Sequence, residues 1–284
     1  MNKMVIDFHT HIFPPNIIKN REKHFKNEPG FEMIYKVPAS RLADAEQLIS
    51  TMDDQKVDKS IVFGFPWNSA ETFKKHNDYI IDSVLKYPNR LIGLACFNIS
   101  DKKIDRETER CLNAGLSGIG ELALYTSGLA EEPIRFLEPV MEICRKRDVP
   151  LLLHTNEPVG HTYPGKTPIT LAQIYAFVKK FSKNKIVLAH WGGGVFFYAL
   201  MKREVSDTLK NVYFDTAASP FLYRPDIYDV AKKIMGIEKI LFGSDYPLLK
   251  PQRYFNELEQ TELSDNDIDQ IKGLNAVKLL NLDV

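Results

Sequence analysis

The sequence predicts a (β/α)8 barrel, and three observations predict it. Short apolar, partly β-branched runs recur along the 284 residues, each run is followed by a stretch long enough for a helix, and residues of metal-ligand or general-base type stand at the ends of several runs. The runs are 4–8, 60–65, 91–97, 118–122, 150–154, 185–190, 211–215 and 239–243. After the first pair they recur at the spacing of about 30 residues that a strand plus its crossover helix requires. Such alternation gives a parallel sheet with helices outside, and eight strands close it into a barrel.

The helical segments support this reading. Between the fourth and fifth runs Ile134, Leu137, Val140, Met141 and Cys144 fall on one face of a single helix, with Arg135, Glu138, Glu142, Arg145 and Lys146 on the other. The chain closes on a second amphipathic helix, with Ile268, Ile271, Leu274, Val277 and Leu280 in register behind a polar Ser264-Asp265-Asn266 start. Residues 12–40, with Pro14-Pro15 and Pro29-Gly30, break the repeat and form an insertion before a first helix expected at Arg41. Loops after barrel strands lie on the active face, so the insertion reads as a lid or helical flap.

Composition sets the outer bounds. A chain of this length buries one large core, so residues 1–284 are expected to form a single domain. Thirty-seven basic residues balance 37 acidic ones, which leaves no basic excess for a nucleic-acid or anionic-membrane partner. Cys96, Cys111 and Cys144 lie far apart and read as reduced core residues. No leader pattern opens the chain and no apolar stretch approaches the roughly 18 residues of a membrane span, so a cytoplasmic location is expected. A homo-oligomer is left open.

The chemistry lies at the strand ends. His9 and His11 follow the first run, and residues two apart on a strand face the same side, so both imidazoles can share a divalent ion. His154 and His190 cap the runs 151–153 and 186–189, which need no polar residue for packing. Asp245 stands at the mouth of the last strand between Gly243 and Pro247, where a buried carboxylate needs a partner. Glu121 follows Gly118-Ile119-Gly120, where small residues allow close approach, and is placed to bridge two ions.

Further out, Trp67, Tyr125, His161, Lys166, Trp191 and Arg224 fall in loops of the expected active face. The aromatic rings suit a planar or apolar substrate, and Lys166 and Arg224 suit a carboxylate. A small carboxylated molecule, preferably cyclic, is therefore the expected partner. His24 and His76 read as surface residues. Residues 160–167 satisfy GxxxxGK[ST], but a phosphate-binding loop joins a strand directly to its helix. Here five residues including Pro158 intervene after His154. The glycines at 192–194 read as a tight turn packed beside the metal, with an anion-binding role for their amides as the other possibility.

Taken together, DFHTHI, GIGEL, LLLHTNEP, VLAHWGGG, LFGSDYP and the terminal GLNAVKLLNL resemble the amidohydrolase superfamily, in the amidohydrolase-related branch that includes the aminocarboxymuconate-semialdehyde decarboxylase type. The resemblance implies a barrel holding one or two divalent ions through His9, His11, His154, His190 and Asp245. Glu121 departs from the carboxylated lysine of many members and is similar to the glutamate of the TatD-like branch. The implied reaction is hydrolysis by a metal-activated water, with Asp245 as general base and His190 as a second-ion ligand or oxyanion stabiliser. Zinc is the expected ion, with manganese or another divalent ion open. A metal-dependent non-oxidative decarboxylase and a TatD-like nuclease or phosphoesterase are the alternatives, and a single ion with His190 free would favour the decarboxylase.

Overall fold

The computed structural model describes residues 4–129 and 131–283, of which 131–133 by backbone alone. Its strands are β1 (Ile6–His11), β2 (Lys59–Phe63), β3 (Leu91–Gly93), β4 (Ile119–Leu122), β5 (Leu151–Leu153), β6 (Ile186–Leu188), β7 (Val212–Asp215) and β8 (Ile240–Leu241). Each pairs in parallel with the next, in the runs β1-β2-β3 and β4 to β8. Bridges from Ala95 to Ile119 and from Thr10 to Tyr246 join the two runs. With Phe8 N–H donating to the Phe242 carbonyl at 2.7 Å, they close the (β/α)8 barrel.

Alternation along the strands divides the core into two layers. Ile6, Phe8, Ile61, Phe63, Ile92, Leu94, Leu152, Val187, Ala189 and Leu241 form an inner cluster that Ala276 and Leu279 of the terminal helix join. The intervening residues, among them Val62, Ile119, Leu151, Ile186, Val212 and Ile240, belong to the larger cluster shared with the surrounding helices. Burying each such side chain contributes about 1.5–3 kcal/mol. The barrel is thus filled below its mouth, and polar strand-end residues have only the mouth to occupy.

Several elements differ from expectation for identifiable reasons. β1 runs on to His11, because its upper half pairs with the Tyr246 region rather than ending at Phe8. The first barrel helix is Ala45–Gln55 rather than starting at Arg41, since Asp44 and Gln47 form a reciprocal capping box. The single helix expected around 134–146 is two, Glu131–Phe136 and Glu138–Arg147. Pro139 lacks the N–H and its ring meets the carbonyl four residues back. The terminal helix contains a π turn, Gln270–Leu274, between Asp265–Asp269 and Asn275–Leu280. That extra residue shifts the buried stripe to Ile271, Ala276 and Leu279. Gly273 lies within it where an added Cβ would come 2.0 Å from the Met4 carbonyl oxygen, so the helix seats against the start of β1.

The 12–40 insertion contains the helices Pro15–Lys19 and Pro29–Tyr35 and a 3-10 turn Arg21–His24. Its Phe31 is fully buried among Phe13, Phe65 and Trp67. The Glu28 carboxylate accepts the amides of Asn68 and Ser69 at 2.7 and 2.9 Å. His76, expected at the surface, is buried there instead, accepting from Trp67 Nε1 at 2.9 Å and donating Nε2–H to the Ile12 carbonyl at 2.7 Å. The three cysteines are buried and free. Among the described residues no helix is long and apolar enough to cross a membrane.

Candidate metal centre

The strand ends bring the expected ligand types together. His9 Nε2 and His11 Nε2 lie 3.2 Å apart. Asp245 Oδ1 is 3.5 and 3.4 Å from them, and Glu121 Oε2 is 3.7 Å from each. His190 Nε2 approaches Glu121 Oε1 at 3.6 Å, and His154 Nδ1 approaches the same oxygen at 2.9 Å. Among the described residues, two groups of side chains have the compactness of an ion site, His9 with His11 and Asp245, and His9 with Glu121 and His190.

Outward hydrogen bonds decide which nitrogen of each ring faces this cluster. His9 Nδ1 bonds to the Asp215 carboxylate at 2.8 Å, His190 Nδ1 to the Ala217 carbonyl at 3.0 Å, and His154 Nε2 to the Gly165 carbonyl at 3.1 Å. Carbonyls accept only, as does an ionised carboxylate, so the outer nitrogens of His9 and His190 carry the proton and the inner Nε2 of each neutral ring offers a lone pair, whereas His154 Nδ1, 2.9 Å from the Glu121 carboxylate, is a hydrogen-bond donor to it. Two such lone pairs and two carboxylates therefore point at one small volume. Such a set of acceptors requires a cation, and its mixture of imidazole and carboxylate suits a divalent ion. The electrostatics agree. Burial pulls the His9 pKa down, yet Asp215, Glu121 and Asp245 outweigh it and raise it to about 10. Burial likewise opposes the His190 imidazolium, but the hydrogen bond to Glu121 and the charges of Asp245 and Glu121 raise its pKa to about 9. Against burial, which pushes both up, Glu121 is held well below the usual carboxylate range by His9 and His154, and Asp245 by His11, His9 and His190.

The turn after β6 brings His190 in. Residues 190–194 all have positive φ, from 55° at His190 to 92° at Gly194. A Cβ at Gly193 would lie 2.2 Å from the Asn156 carbonyl oxygen, which explains the glycine run as tight packing against the loop after β5.

The loop residues behave otherwise. Tyr125 is at the mouth, stacked on Phe65 with centroids 5.4 Å apart and 5.5 Å from the His154 ring. Trp67 is fully buried beneath the insertion with its N–H committed to His76, and Trp191 is fully buried with its N–H donated to Ser219 Oγ at 2.9 Å. Neither indole faces the mouth as expected, because the apolar core behind the loops outcompetes the opening for a large ring. Lys166 is not a free cation: its ammonium donates to Glu157 Oε1 at 2.7 Å and to the carbonyls of Val159 and His161. Arg224 extends into solvent, its side chain 87% exposed, and pairs with Asp226. His161 is exposed at the rim. The Walker-like stretch is an irregular loop before the helix Leu171–Lys180, and Thr167 is bound to Asn156 rather than presented to a phosphate.

Two residues escaped the sequence reading. Asp215, wholly buried at the end of β7, bonds His9. Tyr35 of the insertion is held among Phe13, Phe31 and Phe65, and after burial the charges of Asp245 and Glu121 are the next causes that raise its pKa. A carboxylate at the end of an apolar strand, as Asp215 is, is part of the signal that marked Asp245.

Known proteins place this geometry in context. The 2-amino-3-carboxymuconate-6-semialdehyde decarboxylase of Dictyostelium discoideum is 24% identical over 98% of this chain and 92% of its own length. Gamma-resorcylate decarboxylase of Polaromonas sp. is 23% identical over 75% of this chain and 77% of its own. The crystal structure of 5-carboxyvanillate decarboxylase from Sphingomonas paucimobilis superposes with a TM-score of 0.79 at 16% identity, covering 99% of this chain and 100% of that one. A dihydroxybenzoic acid decarboxylase from Polaromonas sp., solved with manganese and 2-nitroresorcinol, gives 0.73 at 21% identity, covering 99% and 98%. These relatives correct the expectation of a hydrolase using Asp245 as water-activating base: they are decarboxylases, matching the first alternative. Where zinc was expected, the ion bound in the Polaromonas structure is manganese. The family described as Amidohydrolase matches residues 6–282, from the first residue of β1 to beyond the terminal helix, and the chain is a member of that family.

Proposed function

We propose that this protein is a metal-dependent, non-oxidative decarboxylase that removes the carboxyl group of a small aromatic or conjugated acid as carbon dioxide, with the described residues acting as one domain. The observation that carries the choice is the sharing of His9 between the two compact groups of ligands. One imidazole nitrogen has one lone pair and serves one ion. A single ion held by His9, His11 and Asp245 leaves Glu121 and His190 as a carboxylate–imidazole pair beside it. Manganese, the ion of the Polaromonas relative, is the one expected.

An ion held by His9, His11 and Asp245 would supply a Lewis acid that withdraws charge from the substrate's oxygens. Tyr125 and Phe65 offer a flat wall for a planar ring. His190 carries the proton at Nε2, and Glu121, with His154 bonded behind it, stabilises that imidazolium. The bond between ring carbon and carboxyl carbon breaks, its electron pair stays on the ring carbon, the His190 proton is delivered there, and carbon dioxide departs. Solvent then reprotonates His190. The 12–40 insertion acts as a fixed cover rather than a swinging lid, since Glu28 and Phe31 fasten it to the loop after β2.

The test is carbon dioxide release from manganese-loaded protein given 2,6-dihydroxybenzoate, 5-carboxyvanillate and a carboxymuconate semialdehyde. Release from at least one, with about one ion per chain, is expected. Protein that holds its ion yet releases none from the three sinks the reading.

A further inference from the structure

We infer that Asp215 is the positioning residue of the metal centre, one carboxylate that sets the inward nitrogen of His9 and the backbone turn that delivers His190. The inference rests on the metal-centre reading and not on the choice of reaction.

The carboxylate is completely buried and both its oxygens are used. Oδ2 takes the proton of His9 Nδ1 at 2.8 Å, while Oδ1 accepts the backbone amides of His190 at 2.9 Å and of Ala217 at 3.0 Å. The first bond compels His9 to carry its proton outward and turn a bare Nε2 to the centre. The second pins the amide of a residue with φ of 55°, a conformation that side chains with a Cβ rarely adopt. The third holds Ala217, whose carbonyl receives His190 Nδ1–H at 3.0 Å and so fixes the second ring's orientation as well. One side chain from β7 thereby governs ligands on β1 and after β6, which share no direct hydrogen bond of their own among the described residues. The substitution Asp215→Asn retains the shape of the side chain but puts an amide N–H within reach of His9 Nδ1, which turns the proton of His9 towards the centre.

Metal affinity, measured by competition against a chromophoric chelator, is therefore expected to weaken about 10–100-fold for zinc and manganese in Asp215→Asn. The melting temperature of the metal-free protein should change little. Because the effect travels largely through His9, the same substitution in a His9→Ala background should cost under about 5-fold. An unchanged affinity in Asp215→Asn, or equal losses in the two backgrounds, overturns the inference. Should the variant not fold, long-range proton–nitrogen spectra of the zinc-loaded wild-type protein decide: His9 must show a hydrogen-bonded Nδ1–H and a coordinated Nε2, and the reverse assignment overturns it. Absence of decarboxylation in the wild-type protein, with the affinity and spectra as expected, would count against the proposed reaction alone.

Discussion

At the strand ends, side chains from β1, β4 and the turns after β6 and β8 approach one another to within 3.7 Å, whereas in the loops just above, Lys166 is bound to Glu157 at 2.7 Å and Arg224 reaches away into solvent. The ring is acceptor-rich and needs a cation; the rim has spent its charges on itself. The difference lies in what holds each group. A strand-end residue inherits its direction from a closed, filled barrel. A loop residue answers to whichever partner its loop finds first, and for Lys166 that partner lies nine residues back. The proposed function therefore draws on the ring, with the rim supplying shape.

That contrast can be broken by experiment, and the largest effect belongs to the ring. Stripping the ion with a chelator, or replacing His9 by Ala, should lower carbon dioxide release about 10³-fold or more, restored in the first case by manganese. Substantial turnover after removal of metal would break the contrast at its base. His190→Asn is expected to cost about 10²–10⁴-fold in kcat, the range of a lost proton donor. The ion should stay bound, as metal content would show.

A smaller effect concerns the base of the insertion. Burial and the nearby His11 charge depress the His76 pKa from 6.5 to about 4, against the opposing Ile12 hydrogen bond. The unfolded chain takes up a proton below 6.5 while the folded protein refuses it until about 4. Stability present above pH 6.5 is thus lost as the pH falls through that window, by about 3 kcal/mol. Denaturant midpoints for wild type and His76→Gln should converge with acidification, and parallel curves would refute the assignment. The smallest effects belong to the rim. Arg224→Ala and Lys166→Met should leave KM within about 3-fold, because exposed or internally saturated cations contribute little to a ligand. A tenfold rise in KM for either would show that the rim recognises the substrate after all.

The sequence by itself determined the barrel and its ring. Recurrent apolar runs with polar caps leave few alternatives, since the barrel interior is filled and the capping residues His9, His11, Glu121, His190 and Asp245 have only the mouth to enter. It could not determine the chemistry, for the same ligands serve hydrolysis and decarboxylation, and the proposed choice between them rests on the shared His9 seen in the fold and on the decarboxylases the chain resembles. Tertiary structure alone decided which nitrogen of His9 and of His190 faces inward, because those protons are set by Asp215 and Ala217, from chain segments 206 and 27 residues away. It likewise took Trp67, Trp191 and His76 into the core. A local pattern specifies that a residue is large or polar, but not which distant donor, acceptor or ring will compete for it, and that competition is settled only when the barrel closes.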